Sequence, residues 1–196
     1  LPAWSPDGST LVFTRGAPAT SDLYTVGTDG SGQVRLTAFD GFESAPTWSP
    51  DGATIAFLWG HGEVRGYGES APLWTIDADG SNPTLLLDRD VGYPAWSPDG
   101  RSIALELRGD TDRDATRIGI LDIATGELTE LRQGHAPRWS PDSSRLVFLG
   151  DSNGSTDIFV MDADGANVAQ LTDDDAFNTF PLWSPDGETI LFLTRR

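Results

Sequence analysis

One turn motif recurs five times along the chain and sets its spacing. The motif reads Trp-Ser-Pro-Asp-Gly at residues 4–8, 48–52, 96–100, 139–143 and 183–187, with Ser143 in place of the final Gly in the fourth copy. Successive copies begin 44, 48, 43 and 44 residues apart. Self-similarity at a period of roughly 40 to 50 residues is typical of propeller blades and of solenoid coils. The chain is therefore predicted to be a repeat protein.

The residue types of the motif predict a tight turn between two strands. Pro presets φ at the second turn position, Asp accepts hydrogen bonds from nearby backbone at the third, and Gly takes positive φ at the fourth. Ser143 places a side chain at that positive-φ position and should weaken its hairpin slightly. The tryptophans are interpreted as packing between repeats, with a carbohydrate platform as the alternative. The structural motif positions are Trp4, Asp7, Gly8, Trp48, Asp51, Gly52, Trp96, Asp99, Gly100, Trp139, Asp142, Trp183, Asp186 and Gly187.

Four short strands are predicted in each repeat. Strand A ends at the motif Trp, and strand B follows the turn as a β-branched and aromatic run, for example Leu11-Val12-Phe13. Strand C, such as residues 23–26, ends at an Asp-Gly turn that leads into strand D, such as residues 33–36. No segment shows an apolar period of about 3.6 residues, so helices are expected to be nearly absent.

These strands predict an all-β fold, a β-propeller of four-stranded antiparallel blades. A solenoid is the weaker alternative, because its coils are usually shorter and its strands parallel. The predicted blades span approximately residues 1–44, 45–92, 93–135 and 136–179, and residues 180–196 supply only strands A and B of a fifth. We expect four full blades and a partial fifth to form an open segment of a larger ring. Leu191 and Leu193 should then be poorly covered, and the open edges should favour self-association.

The repeat resembles the WD-like propeller repeat of the TolB type. The resemblance rests on Pro-x-Trp-Ser-Pro-Asp-Gly, on Ile55-Ala56-Phe57, and on an aromatic strand C that ends in Met-Asp-Ala-Asp-Gly at residues 161–165 and is followed by Leu-Thr. It covers nearly the whole chain, with Ser143 and the enlarged loop at residues 60–72 as departures. The resemblance implies a ring of about six blades, a periplasmic or extracellular place in the bacterial cell envelope, and a non-catalytic scaffold for protein–protein interaction.

Composition excludes several classes of partner. The net charge of −17, from 30 acidic residues and 13 basic residues that are all Arg, should repel nucleic acid and anionic lipid. The longest aliphatic run, residues 85–87, is too short for membrane insertion. There is no cysteine, so neither a disulfide nor a thiolate metal site is expected. No motif predicts a bound cofactor.

Catalytic and metal motifs are also missing from the sequence. It has no Gly-x-Ser-x-Gly elbow and no His-Glu-x-x-His pair, so no catalytic residue is predicted. His61 and His135 are the only histidines, and both are predicted to lie in variable loops. Residues 77–82 and 162–167 resemble calcium loops only superficially, because Gly comes too early and no Glu closes the loop. No metal site is predicted.

Two enzymatic roles remain as alternatives to the scaffold. The chain would be the gating propeller of a prolyl-oligopeptidase-like serine peptidase if the full gene also encodes an α/β-hydrolase domain with a Gly-x-Ser-x-Gly elbow. It would belong to a propeller lyase or glycosidase if His135 and carboxylates of the central channel act on carbohydrate.

Strand order places the variable loops on one face of the predicted propeller. In an up-and-down blade the A–B and C–D turns share one end, and the B–C and D–A loops share the other. Loops that differ between blades on a rigid scaffold are the expected carriers of recognition. The predicted partner-binding residues of this variable face are Asp40, Glu43, Glu63, Glu69, Asp88, Asp90, Asp110, Asp112, Asp114, His135, Asp173, Asp174 and Asp175, with Asp151 also in a B–C loop. Their charge predicts a basic protein partner, and an acidic surface that only maintains solubility is the alternative.

Overall fold

The computed structural model describes residues 2–17, 19–61, 70–108, 116–152 and 154–195. The chain divides into two compact units, Leu1–Trp96 and Ser97–Arg196. Every regular element in the described ranges is a β-strand, which confirms the all-β prediction. The blade boundaries, and the single propeller segment over residues 1–196, remain predictions.

The first unit contains two sets of antiparallel strands. β1 (Ala3–Trp4), β2 (Thr10–Ala17), β3 (Thr20–Gly27) and β4 (Val34–Arg35) form a four-stranded sheet in that order. β5 (Phe42–Trp48), β6 (Thr54–Gly60), β7 (Ala71–Asp77) and β8 (Thr84–Trp96) are hydrogen-bonded to one another in chain order as well. Each set is a meander of the predicted A to D strands.

The second unit repeats the same meander. β9 (Ser102–Leu107), β10 (Arg117–Asp122) and β11 (Leu128–Gln133) are hydrogen-bonded in chain order. β12 (His135–Trp139), β13 (Arg145–Ser152), β14 (Ser155–Asp162) and β15 (Ala169–Gln170) form a four-stranded sheet, and β16 (Phe177–Trp183) pairs with β17 (Ile190–Arg195) in a hairpin. That hairpin consists of the predicted strands A and B of the fifth repeat.

β8 departs from the predicted strand limits. Asp88 and Asp90 were expected in a D–A loop, but both lie inside β8, which continues from the predicted strand D into the next strand A. β8 pairs with β7 from Thr75↔Thr84 to Ala71↔Val91, across two register shifts. Pairing with β7 on both sides of Asp88 and Asp90 outweighs the low β-propensity of these charged residues, since that propensity depends strongly on context.

Strand A has the same positive-φ residue in four repeats, and in three of them it forms a bulge. The residue before the motif-adjacent Pro has positive φ each time: 47° at Ala45, 49° at Tyr93, 47° at Ala136 and 53° at Phe180. In β5, β12 and β16 the register shifts at this point, so two residues oppose one on the partner strand. The bulge divides strand A into two parts. The first part follows the D–A loop, and the second part ends at the motif Trp.

The apolar core of each unit lies between successive sheets. In the first unit, Val12 and Leu23 of the first repeat pack against Ile55, Phe57 and Ile76 of the second, and all five are buried. In the second unit, one cluster joins the third repeat to the fourth, and a second cluster joins the fourth to the β16–β17 hairpin. Burial between units of a repeat array is what stabilises each of them.

Candidate functional site

The five motif turns are closed in the same way and confirm the predicted turn. Gly8 N donates to Ser5 O at 2.9 Å, and the other four copies repeat this bond at 2.9 to 3.0 Å. Ser5 Oγ donates to Asp7 Oδ1 at 2.6 Å, and Ser9 N donates to the same oxygen at 3.0 Å. These hydrogen bonds, with that from Ser5 the largest cause, lower the pKa of Asp7 to about 2. The motif carboxylates are therefore engaged in holding the turns.

Ser143 adopts the positive φ that its place in the motif requires. Its φ is 61°, against 70° at Gly8. The Ser143 hydroxyl accepts a hydrogen bond from Asp99 N at 3.1 Å. The serine thus links two motif turns of the second unit, which offsets part of the backbone strain that a Gly would avoid.

The motif tryptophans lie at the contacts between repeats. Trp48, Trp139 and Trp183 pack against the three inter-sheet clusters. Trp183 Nε1 donates to Arg138 O at 3.4 Å, and the guanidinium of Arg145 lies 4.8 Å from the Trp183 ring centre. Trp4, in the first repeat, is 60% exposed. This arrangement favours inter-repeat packing over a carbohydrate platform.

The predicted acidic residues of the first unit separate into exposed and buried members. Asp40, Asp88 and Asp90 are exposed. Glu43 is the second residue of β5 and has no solvent exposure, so it does not belong to an accessible surface. Its predicted place in a D–A loop was wrong because β5 begins earlier than the motif pattern suggests. The predicted residues Glu63, Glu69, Asp110, Asp112 and Asp114 lie outside the described residues.

A buried polar network surrounds Glu43. The Thr37 hydroxyl accepts a hydrogen bond from Leu23 N at 2.8 Å and donates to Glu43 Oε2 at 3.2 Å. Asp22 and Arg35 form an ion pair of 2.7 Å nearby. Burial raises the pKa of Glu43 to about 7, and the hydrogen bond from Thr37 opposes that rise. The network ties strands β3, β4 and β5 together below the loop that holds Asp40.

The second unit builds the same network with different side chains. Thr172 Oγ1 accepts from Ile158 N at 3.0 Å and donates to Asp157 Oδ1 at 2.8 Å. Asn178 is fully buried and occupies the place of Glu43, with its Nδ2 2.9 Å from Asp174 Oδ1. Sequence analysis missed both networks. Their signal was the Leu-Thr pair at residues 36–37 and 171–172, which precedes the first buried polar residue of strand A by the same number of positions.

Residues 172–178 form what we call the acidic loop, which follows β15 and ends at the second residue of β16. The network fixes both ends of this loop, at Thr172 and at Asn178. Asp173, Asp174 and Asp175 are exposed, and Ala176 is buried beneath them. Three consecutive carboxylates are thus held on an anchored backbone.

His135 is the first residue of β12 and does not lie in a variable loop as predicted. Its Nδ1 is 3.8 Å from Oε2 of the buried Glu106, and its Nε2 is 4.0 Å from Oδ2 of Asp151, which is 78% exposed. The interaction with Glu106 raises the pKa of His135 above its ordinary value, and burial opposes this rise. Glu106 Oε2 also accepts a hydrogen bond from Ala136 N at 3.2 Å. The sequence analysis did not predict Glu106 as a site residue, because it lies within an apolar strand.

Among the described residues, no three His, Cys, Asp or Glu side chains are grouped so that they would hold a metal ion. In that part of the chain there is also no helix with the length and apolarity to cross a membrane.

Comparisons relate this chain to TolB-type propellers. The TolB beta propeller domain, PD40, matches residues 61–196. An uncharacterized peptidase, YuxL of Bacillus subtilis, is 34% identical over 91 residues, which are 44% of this chain and 14% of that protein. The TolB homologue of Chlorobium chlorochromatii is 37% identical over 68 residues, or 35% of this chain and 15% of that protein.

A solved structure extends the similarity to almost the whole chain. The putative TolB from Agrobacterium tumefaciens superposes with a TM-score of 0.78 and 25% sequence identity. The alignment covers 99% of this chain and 69% of that chain. The matched segments make up only 14% and 15% of the two sequence relatives. This chain therefore corresponds to a small part of each relative.

Proposed function

The chain belongs to the TolB β-propeller domain family, and from this we propose that it is a non-catalytic scaffold that binds a basic protein partner through the exposed carboxylates of its variable loops. The fold of this family is reused for several functions, so the proposal is argued from the site. The observation that carries it is the acidic loop, where three exposed Asp residues stand on a backbone anchored at both ends.

The anchoring of the acidic loop favours a role in binding over a role in solubility alone. A mobile acidic segment loses conformational entropy when it binds, whereas a loop that is already ordered loses little. The buried side chain of Asn178 donates to the partly buried hydroxyl of Thr172, which holds the two ends of the loop together and would present Asp173 and Asp175 in one arrangement. Complementary charge would speed association with a basic partner and make it dependent on salt.

The similarity to TolB proteins supports a cell-envelope location for the parent protein. The support is the family membership and the TolB homologue among the relatives. Fractionation of a producing bacterium tests this, and recovery of the full-length protein only with cytosolic markers would contradict it.

The binding proposal is tested with a labelled oligo-arginine peptide as a defined basic probe. Asp173→Asn combined with Asp175→Asn removes two charges and leaves the hydrogen bond between Asp174 and Asn178 in place. We expect an affinity loss of about fivefold at low salt, since exposed charge pairs contribute up to about 1 kcal/mol together. Equilibrium anisotropy titrations measure the change.

A charge-matched control separates this loop from the overall acidity of the chain. Glu127→Gln combined with Glu188→Gln removes two exposed charges beside the uniform turns. This variant should bind the peptide with nearly the original affinity. Equal losses in both double variants would show that the acidic loop is only part of a general acidic surface, and the proposal would fail.

A second candidate is the propeller domain of a serine peptidase. The match that favours it is the 34% identity to the uncharacterized peptidase YuxL over 91 residues. In that case the acidic loop would belong to a gating domain, and the catalytic serine would lie in another domain. A Gly-x-Ser-x-Gly elbow in the full gene would support this candidate, and a gene that encodes only further propeller repeats would exclude it.

A further inference from the structure

His135 has a carboxylate on each side of its imidazole ring. Its Nδ1 lies 3.8 Å from Glu106 Oε2, and its Nε2 lies 4.0 Å from Asp151 Oδ2. Glu106 belongs to β9, whereas Asp151 lies near the end of β13. The ring therefore stands between a strand of the third repeat and a strand of the fourth, within the second unit.

The two carboxylates suit the protonated ring and not the neutral one. A neutral imidazole has one N–H donor and one nitrogen lone pair, whereas an imidazolium donates from both nitrogens. Neutral His135 can therefore attract only one of the two carboxylates and turns a lone pair toward the other. Protonated His135 attracts both. This geometry agrees in direction with the raised pKa of His135.

Burial gives the two carboxylates different roles. The side chain of Glu106 is 5% exposed, so water screens its charge less than that of the exposed Asp151. Glu106 Oε2 also accepts a hydrogen bond from Ala136 N at 3.2 Å, and its Oε1 lies 3.6 Å from Arg108 Nη2. These contacts hold Glu106 in place, so Asp151 is the partner that loss of the proton would release.

Glu106 and His135 depart from the repeat pattern together. The strand register places neutral residues at the position of Glu106 in other repeats, namely Thr14, Leu58 and Leu149. It also places neutral residues at the position of His135, namely Ser44 and Thr179. Because these repeats form the same strands without the charged pair, the fold does not require it. The pair is therefore a candidate for a separate role.

The charged groups that act on His135 are Glu106, Asp151 and Arg108, and Arg108 opposes protonation. β16, which packs against β12, has no charged residue. The other charged residues of β10, β12 and β13 contact different groups: Arg117 pairs with Glu130, Asp122 accepts from Thr125 N, Arg138 donates to Pro137 O, and Arg145 lies over the Trp183 ring. In the described part of the chain, three groups thus govern the protonation of His135.

We propose that His135 is a proton-controlled latch between the third and fourth repeats, in which the imidazolium bridges Glu106 of β9 and Asp151 of β13. Loss of the proton breaks the contact with Asp151 and loosens the start of β12. The latch should be closed below pH 6.5, the ordinary pKa of histidine, and should open as pH rises through the higher pKa of His135 in the folded chain. This device does not depend on the proposed function.

Nuclear magnetic resonance titration of the imidazole protons tests the bridge, because the chain has only two histidines. Asp151→Asn should lower the pKa of His135 by about 0.2 to 0.7, the shift that an exposed ion pair produces. Glu106→Gln keeps an acceptor for Ala136 N and should lower this pKa further, because Glu106 is buried. His61→Gln is the matched control and should leave the titration of His135 unchanged.

Hydrogen exchange at the amide of Ala136 measures the latch itself. Exchange rates are corrected for the intrinsic effect of pH on amide exchange. Protection should fall about three- to fivefold between about pH 6 and pH 9 in the natural chain, the effect of losing one exposed ion pair. It should stay level in His135→Gln. Glu43→Gln should show the same fall as the natural chain, since Glu43 lies in the first unit.

Four outcomes would overturn the latch. A pKa of His135 at or below its ordinary value, or one that Asp151→Asn leaves unchanged, would show that the ring does not bridge the carboxylates. Level protection of Ala136 in the natural chain would show proton binding without a latch, and a fall that persists in His135→Gln would show that another group causes it. Binding of oligo-arginine to the acidic loop is measured separately, so the two proposals can fail independently.

Discussion

Single residues account for the pH dependence expected of this protein. Glu43 is fully buried, and its pKa rises to about 7 from 4.5. Between these values the unfolded chain loses the proton and the folded chain keeps it, so stability should fall as pH rises through this window and level off above it. Asp22 and Arg35 are the charged groups that act on Glu43, and they oppose each other in sign.

Glu43→Gln should remove this pH dependence. The variant keeps a hydrogen-bonding group beside Thr37, and the buried Asn178 shows that a neutral amide suits the equivalent position. At pH 8 we expect it to be more stable than the natural chain by up to about 3 kcal/mol, the upper limit for a shift of this size. Urea unfolding at pH 5 and pH 8 measures it, with the exposed Glu188→Gln as control. A stability difference that is the same at both pH values would contradict this account.

Residue-level prediction from sequence succeeded where the cause was local. The Ser-Pro-Asp-Gly turns follow from the φ preferences and hydrogen bonds of their own residues, and all five predicted turns are closed by the same backbone hydrogen bond. The burial of Glu43 and Glu106 depends on strands far away in the sequence. An isolated acidic residue near a turn therefore looked like a surface residue, and only the three-dimensional packing shows otherwise.

At the scale of elements, the tryptophans determine how successive repeats hold together. Trp139 packs on the cluster that joins the third repeat to the fourth, whereas Trp4 is 60% exposed. Because Trp139 is only partly buried, Trp139→Ala should lower the free energy of unfolding by about 2 to 3 kcal/mol, less than the roughly 3 to 5 kcal/mol typical of fully buried aromatic residues. Trp4→Ala is the matched control and should cost much less. Denaturant titration of both variants gives the values, and equal losses would show that the motif tryptophans do not act through inter-repeat packing.

Strand order was predictable from the spacing of turns, but strand length was not. Strand D of the first repeat was predicted at residues 33–36, and the structure retains only Val34–Arg35. The equivalent strand of the fourth repeat is equally short, Ala169–Gln170. These outer strands are exposed, so little side-chain packing extends them. β8 shows the opposite error, since pairing with β7 carries it through Asp88 and Asp90. Both differences arise from neighbouring strands and not from local sequence.

At the scale of the whole molecule, the repeated strands and turns form the scaffold, and the loops that differ between repeats are the candidate functional sites. Every turn closed by the motif is explained by backbone geometry and engages its own Asp side chain. The acidic loop is different, because Asp173 and Asp175 are exposed while hydrogen bonds of Thr172 and Asn178 hold its two ends. We therefore propose that a partner binds the acidic loop and not the uniform turns.

Nuclear magnetic resonance mapping tests this claim most directly. The isotopically labelled chain is titrated with oligo-arginine, and backbone amide shifts are followed at low salt and at high salt. We predict saturating shifts that centre on Asp173, Asp174 and Asp175, that disappear as salt screens the charges, and that leave the amides of Gly8, Gly52 and Gly100 unchanged. Shifts of similar size at the motif turns, or shifts that persist at high salt, would contradict the claim.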